Sequence, residues 1–308
     1  MTKPLLLKLH RWTGLVFALP LLVIVTTGLV LAIEPIVQVE SVRSQSIDPK
    51  AVFALVKRLD PGNKARGLFI NAAAHRLTLQ QGTGLSDIDL VTGEALPNRL
   101  MLATLFQWAR FTHERLLGMP WLVIASTIAM AVLMILGIAM GLPRLRNNLA
   151  GWHKAAAWFT LPMILLSPLT ALCMVAGLTM QKGAAPNIGK PATLADAILV
   201  VAKSHDLGQV ISIGPRGGRM MVRVFEGDEL RAYAIGESET VALPRNLPRL
   251  IHEGNWSAII GGPINALVSI VLLGLIVTGS LMWARRRLRR AASPRPAPQA
   301  PMATGLSA

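Results

Sequence analysis

"KLHRWTGLVFALPLLVIVTTG" (residues 8–28) and "GWHKAAAWFTLPMILLSPLTA" (residues 151–171) decide the fold. Each opens on a histidine, His10 or His153, and runs directly into apolar sequence. Pro20 follows its histidine by ten residues and Pro162 by nine, while Thr27 and Thr170 each stand seventeen residues on. Two further apolar runs, 117–142 and 258–284, are preceded by His-Glu pairs in "FTHERLLGMPWL" (111–122) and "LIHEGNWSAIIGGPIN" (250–265). With 10–33 and 153–180 they make four segments, each near or above the roughly 20 residues that cross a bilayer core. Only helices and closed barrels satisfy their backbone in lipid, and runs this continuous predict helices. The first run ends "VLAIEP" without a small-x-small cleavage site, so it reads as a retained span rather than a signal peptide.

Composition agrees. The chain has 308 residues, is 52% hydrophobic and has a mean hydropathy of +0.50, too apolar for an ordinary soluble domain. Its net charge of +15 needs no nucleic acid, because topology accounts for the biased part. Residues 1–12, 143–154 and 284–308 are basic and contain no acid; all sixteen acidic residues lie in 34–115 and 182–253. The positive-inside rule then places both termini and the 143–154 loop in the cytoplasm, and the two long segments outside. The lone cysteine, Cys173, lies within the third span and reads as a small buried apolar residue.

The two halves repeat. In 48–60, "DPKAVFALVKRLD" has helical periodicity, and "RGLFINAA", "HRLTLQQG" and "SDIDLVTGEAL" read as strands separated by turn residues. In the second half "TLADAILVVAKSHD" is the helix, and "QVISIGP", "RMMVRVFEG" and "LRAYAIGE" are the strands. The predicted fold is therefore a membrane α-helical protein of four transmembrane helices. They form two parallel repeats, each with a small α+β extracytoplasmic module between its spans. Repeat one is 1–147, with its module at 34–112; repeat two is 148–290, with its module at 181–251; residues 291–308 form a disordered cytoplasmic tail.

The residues "LHRWTGL…PLL…TTGL", "DLVTGEAL", the two His-Glu pairs and the terminal "INALVSIVLLGLIVTGSLMWARRR" resemble the PepSY-associated transmembrane helix family over nearly the whole chain. Its members include inner-membrane reductases of siderophore-bound iron that look like four-helix dihaem proteins of b type. The resemblance implies PepSY-like outer modules, a bacterial inner-membrane location and two b haems. It also implies electron transfer from the cytoplasmic side to ferric siderophore iron in the periplasm. The donor would be a quinol or a cytosolic flavin reductase, since the chain carries no flavin-reductase extension.

Four of the six histidines fit that picture: His10 and His153 at the cytoplasmic face, His113 and His252 at the outer face. Read singly, each is a headgroup-level anchor. The repeat leaves anchor and ligand both open, because duplication copies either; the resemblance implies axial ligation of haem iron, and the side of the membrane on which each lies pairs His10 with His153 and His113 with His252. Glu114 and Glu253 read as solvated carboxylates at helix starts. Trp108, Arg110, Arg115, Arg249 and Trp256 are candidates for the receiving surface of a bulky anionic siderophore. Arg216, Arg219 and Arg223 form a basic edge on a strand hairpin, and Thr27-Gly28 and Thr278-Gly279 are small residues that either let helices approach or leave room for a porphyrin. Two other readings stand beside this one: a non-enzymatic membrane protein whose outer modules bind a peptide or protease, and an accessory subunit of iron uptake.

Overall fold

A computed structural model describes residues 2–42, 47–82, 84–142, 146–181 and 188–292. The expected cytoplasmic tail beyond residue 292, and Arg144 of the basic loop, lie outside the described residues. The first apolar run forms α1 (Lys3–Val16) and α2 (Ala18–Leu31), followed by α3 (Glu34–Val42). The break at Phe17 has a local cause. Pro20 has no N–H to offer the carbonyl of Val16, and its ring crowds that carbonyl, so the helix restarts. The third run behaves alike: α7 (Leu149–Phe159) and α8 (Leu161–Val175) meet at 65°, with Pro162 four residues after Trp158. Among the described residues three helical stretches are long and apolar enough to cross a membrane: Ala18–Val42, Pro120–Ala139 and Ala258–Arg289. The bent α7–α8 pair makes a fourth if counted as one span.

Between these stretches lie α4 (Pro49–Leu59), β1 (Ala65–Asn71), β2 (Arg76–Gln81), β3 (Gly84–Asp89) and α5 (Met101–Arg115) in the first half. The second span is α6 (Pro120–Ala139). The second half has α9 (Leu194–Ala202), β4 (Val210–Arg216), β5 (Arg219–Glu226), β6 (Glu229–Ile235), β7 (Thr240–Ala242), α10 (Leu247–Glu253) and α11 (Ala258–Ala292).

The two expected modules do not stay separate. Their strands form one seven-stranded sheet, in the order β3-β2-β1-β4-β5-β6-β7, joined where β1 pairs antiparallel with β4. Each module alone would leave an open edge here, and joining them removes both. Gly67 permits it: a Cβ at that position would stand 2.8 Å from the Ile213 carbonyl oxygen. One face of the sheet packs on α4 and α9 through Val52, Val56, Leu68, Leu77, Ile198 and Val222, all essentially inaccessible. The opposite face rests on α3 and the start of α11 through Val39, Phe225 and Ala258. The strands alternate accordingly: Val222 and Val224 point to the helices, while Met221, Arg223 and Phe225 point toward the spans. Within the spans, Leu21, Val25, Met130, Ile164, Val268 and Leu272 form the core.

Candidate functional site: two histidine pairs

The structure brings the four histidines together in two places. His113 and His252 face each other with ring centroids 6.2 Å apart. Both line a cavity of about 640 Å³ that opens beneath the sheet. His10 and His153 line a second cavity, of about 230 Å³, at the opposite end of the helices. None of the four sits in the middle of a long span. His113 is in the last turn of α5, beside α2, and a turn through Leu117 (φ 57°) and Gly118 (φ 79°) then leads into α6. His252 ends α10, beside α8; His10 is on α1 and His153 on α7.

The hydrogen bonds fix which ring nitrogen is free. The Nδ1 of His113 lies 2.9 Å from the Ile24 carbonyl oxygen and 3.3 Å from Thr27 Oγ1. A carbonyl only accepts, so Nδ1 carries the hydrogen and the neutral ring presents its lone pair at Nε2. His10 Nδ1 likewise donates to the Leu133 carbonyl at 3.1 Å. His252 Nδ1 is 3.1 Å from Thr170 Oγ1, whose own hydrogen is directed at the carbonyls of Leu166 and Ser167. His153 Nδ1 is 2.8 Å from Thr278 Oγ1, whose hydrogen goes to the Gly274 carbonyl at 2.6 Å. Each hydroxyl can therefore only accept from its imidazole. Among the described residues none of the four Nε2 atoms has a hydrogen-bond partner.

Small residues seat the rings. A Cβ on Gly28 would stand 3.2 Å from His113 Cε1, closer than ordinary contact; one on Gly279 would stand 3.7 Å from His153 Cε1. Thr-Gly thus holds a histidine twice, once at the outer end of α2 and once at the inner end of α11. The sequence contains the signal, in Thr27-Gly28 and Thr278-Gly279, but only the tertiary contacts say which imidazole each dipeptide receives.

Charge separates the two places. Around the outer cavity Arg110 pairs with Glu34 and lies 3.9 Å from Glu114, and Arg249 Nη1 donates to Glu253 at 2.9 Å. The reading of Glu114 and Glu253 as acids at helix starts is corrected here, since both lie at C-terminal ends, where a helix dipole disfavours a carboxylate. Glu253 is also not solvated: its side chain is 18% exposed and accepts from Asn255 Nδ2 at 2.9 Å. Burial alone would push this carboxyl up, but Arg223, Arg249, Arg110 and Arg216 outweigh it and hold it below the usual carboxylate range. Arg223 reaches this cluster from the underside of the sheet and lines the outer cavity. The inner cavity is lined by Arg11 and Arg286, with no carboxylate among its described lining residues.

The other surface candidates divide. Trp108 is 59% exposed and Trp256 lines the outer cavity. Arg115 lies over the Phe111 ring at 5.8 Å. Arg110 and Arg249 are committed to carboxylates rather than free. His205 and His75 stand apart from both pairs: His205 Nε2 is 3.2 Å from Thr240 Oγ1 and its ring packs on Tyr233, while His75 occupies the turn before β2.

Apolar spans under a sheet, with charged and histidine-bearing cavities at their two ends, define a helical membrane protein with a cavity at each end. A profile of the PepSY-associated TM region matches residues 7–286, nearly the whole chain, and the protein belongs to that family. No curated protein matches the chain.

Proposed function

We propose that the protein is a haem b electron-transfer protein of a bacterial inner membrane. In this reading it carries electrons from the cytoplasmic side to ferric siderophore iron in the periplasm. The observation that carries it is the set of four Nε2 lone pairs, two at each cavity, with every Nδ1 anchored to a neighbouring element. A metal–imidazole bond is about 2 Å, and a ring nitrogen lies about 1 Å from the ring centre. Two imidazoles on either side of one metal therefore have centroids about 6 Å apart, against 6.2 Å for His113 and His252. The outer cavity is within the roughly 300–1,000 Å³ range of cofactor sites, and the inner one, at about 230 Å³, is below it. Among the described residues no group of three or more His, Cys, Asp or Glu gathers as a metal cluster would, so the ligation offered is the two-sided axial kind.

Haem supplies the one-electron chemistry that no side chain here provides. The chain's own residues hold and orient it. His10 with His153 and His113 with His252 would hold its iron through their Nε2 atoms. Thr27, Thr170, Thr278 and the Leu133 carbonyl fix ring tautomer and tilt, and the apolar lining excludes water. The two spans of each half form parallel repeats in this reading, with both termini cytoplasmic by the charge rule. Reduction at the outer face suits iron release, because Fe(II) is held far less well than Fe(III) by hard oxygen donors. Trp256, which lines the outer cavity, and the exposed Trp108 would meet the siderophore, with Arg115 beside Phe111 as a further candidate; a quinol or a flavin reductase would supply electrons inside.

A visible spectrum of the detergent-purified protein tests this. A Soret band with a sharp b-type α band after dithionite is expected, and a colourless protein from haem-replete cells sinks the proposal. The sheet edges β3 and β7 favour the second reading, in which an extended peptide pairs with an open strand and the protein is a non-enzymatic binder or an accessory subunit of iron uptake. That reading predicts the colourless result.

A further inference from the structure

Two cations line the inner cavity with no counter-charge among the described residues: Arg11, partly buried, and Arg286, exposed. Arg11 follows His10 on α1, and Arg286 lies on α11 beyond Gly279; both line the cavity that His10 and His153 share. Among the described residues neither forms an ion pair or a hydrogen bond, and the Nε of Arg11 is buried without a partner. A buried donor left unsatisfied is costly, so the fold is incomplete at the Nε of Arg11. Apart from the two histidines and Ser280, the rest of the lining is apolar: leucines, isoleucines, methionines, small residues, Trp158 and Trp283. The site therefore asks for an apolar body with acid groups at one edge, seated with that edge toward Arg11 and Arg286.

The outer cavity differs in kind. Its arginines already face Glu34, Glu114 and Glu253, so the protein itself neutralises them. A ligand's acid groups gain less there.

We propose that Arg11 and Arg286 bind the two carboxylates of the inner haem, making them positioning residues that fix its orientation between His10 and His153. The proposal rests on the haem reading above. Guanidinium is suited to the task because its planar fork matches a carboxylate.

The test uses the full-length protein in detergent, comparing wild type with the R11Q/R286Q double variant and with R11K. Haem loss to an excess of apomyoglobin is followed as two phases, and the potential of each haem is measured by redox titration. The double variant is expected to lose the inner haem about tenfold to a hundredfold faster, as the loss of one or two charge-assisted hydrogen bonds implies. The outer phase, unchanged, reports that the chain remains folded. The inner potential should fall, because removing positive charge favours the ferric state. R11K should keep most of the potential. Wild type reconstituted with haem dimethyl ester, which lacks the acid groups, should lose inner haem as fast as the variant. Unchanged loss and potential in the double variant overturn this assignment and leave the haem reading standing; a wild type without haem overturns both. If wild-type retention depends on anionic lipid in nanodiscs and that dependence vanishes in the variant, the arginines serve a lipid phosphate and the proposal fails.

Discussion

The two histidine pairs use the same chemistry in unlike surroundings. At the outer end His113 and His252 lie under a sheet, in a cavity of about 640 Å³ whose arginines and glutamates offset one another. At the inner end His10 and His153 share about 230 Å³ with two arginines that, among the described residues, have no ion-pair partner and no acid beside them. The outer site is built from both halves of the chain plus the sheet; the inner one is built from helices alone. Electrostatic compensation thus comes from the protein itself at the sheet end and is missing among the described residues at the other.

The sharpest way to break this contrast is to remove one ligand at a time. H113A or H252A should eliminate the outer haem and leave the inner, halving the haem measured by pyridine haemochrome; H10A or H153A should do the reverse. Equal loss from both sites in either variant would refute the pairing.

Next is E253Q, which leaves Arg249 and Arg223 without their carboxylate. Removing one partner of a half-buried charge cluster costs about 3 kcal/mol, read as a lower thermal midpoint together with loss of the outer haem before the inner. The sign with pH follows from the depressed folded pKa. Glu253 contributes stability that is present above its unfolded value and is lost as pH falls through the folded one, below the usual carboxylate range. The acid limb of the wild-type stability curve should therefore be shallower in E253Q. An identical limb in both proteins removes Glu253 from the account.

Glycine substitutions sharpen the contrast further. G28A places a methyl 3.2 Å from His113 Cε1 and should shift the outer haem's spectrum or potential, whereas G279A, with 3.7 Å to His153, should be nearly silent. Matching shifts would mean that the two seats are equally tight. Smallest of all is T170V, which deletes the hydroxyl that orients His252. It should cost about 1 kcal/mol of outer-haem retention; T127V, on the same cavity but bonded only to the Val123 carbonyl, is the control.

Much of this was legible from residue order. The apolar runs, the helix–strand pattern of the outer segments and the position of the histidines at run ends follow from period and composition. The His10/His153 and His113/His252 groupings follow from charge asymmetry, which assigns each to a side. Other features were not legible, each for a physical reason. Pro20 and Pro162 break their helices through the carbonyl four residues earlier, so one apolar run became two helices. Glu253 reads locally as a solvated acid; besides Arg249 on its own helix, the arginines around it come from β4, β5 and α5, distant in sequence. Trp108, Arg110 and Arg249 look alike as surface candidates until Glu34 and Glu253 claim the two arginines.

The sequence by itself determined that this chain lies in a membrane, what its secondary elements are and that imidazoles cluster near the ends of its spans. These depend on local hydropathy, which the chain carries residue by residue. Only the tertiary structure decided that the two outer modules share one sheet, that each imidazole offers Nε2, and that the inner cavity keeps two cations without acids. Those depend on which distant groups meet, and a hydrogen bond or an unpaired charge is defined only once both neighbours are in place.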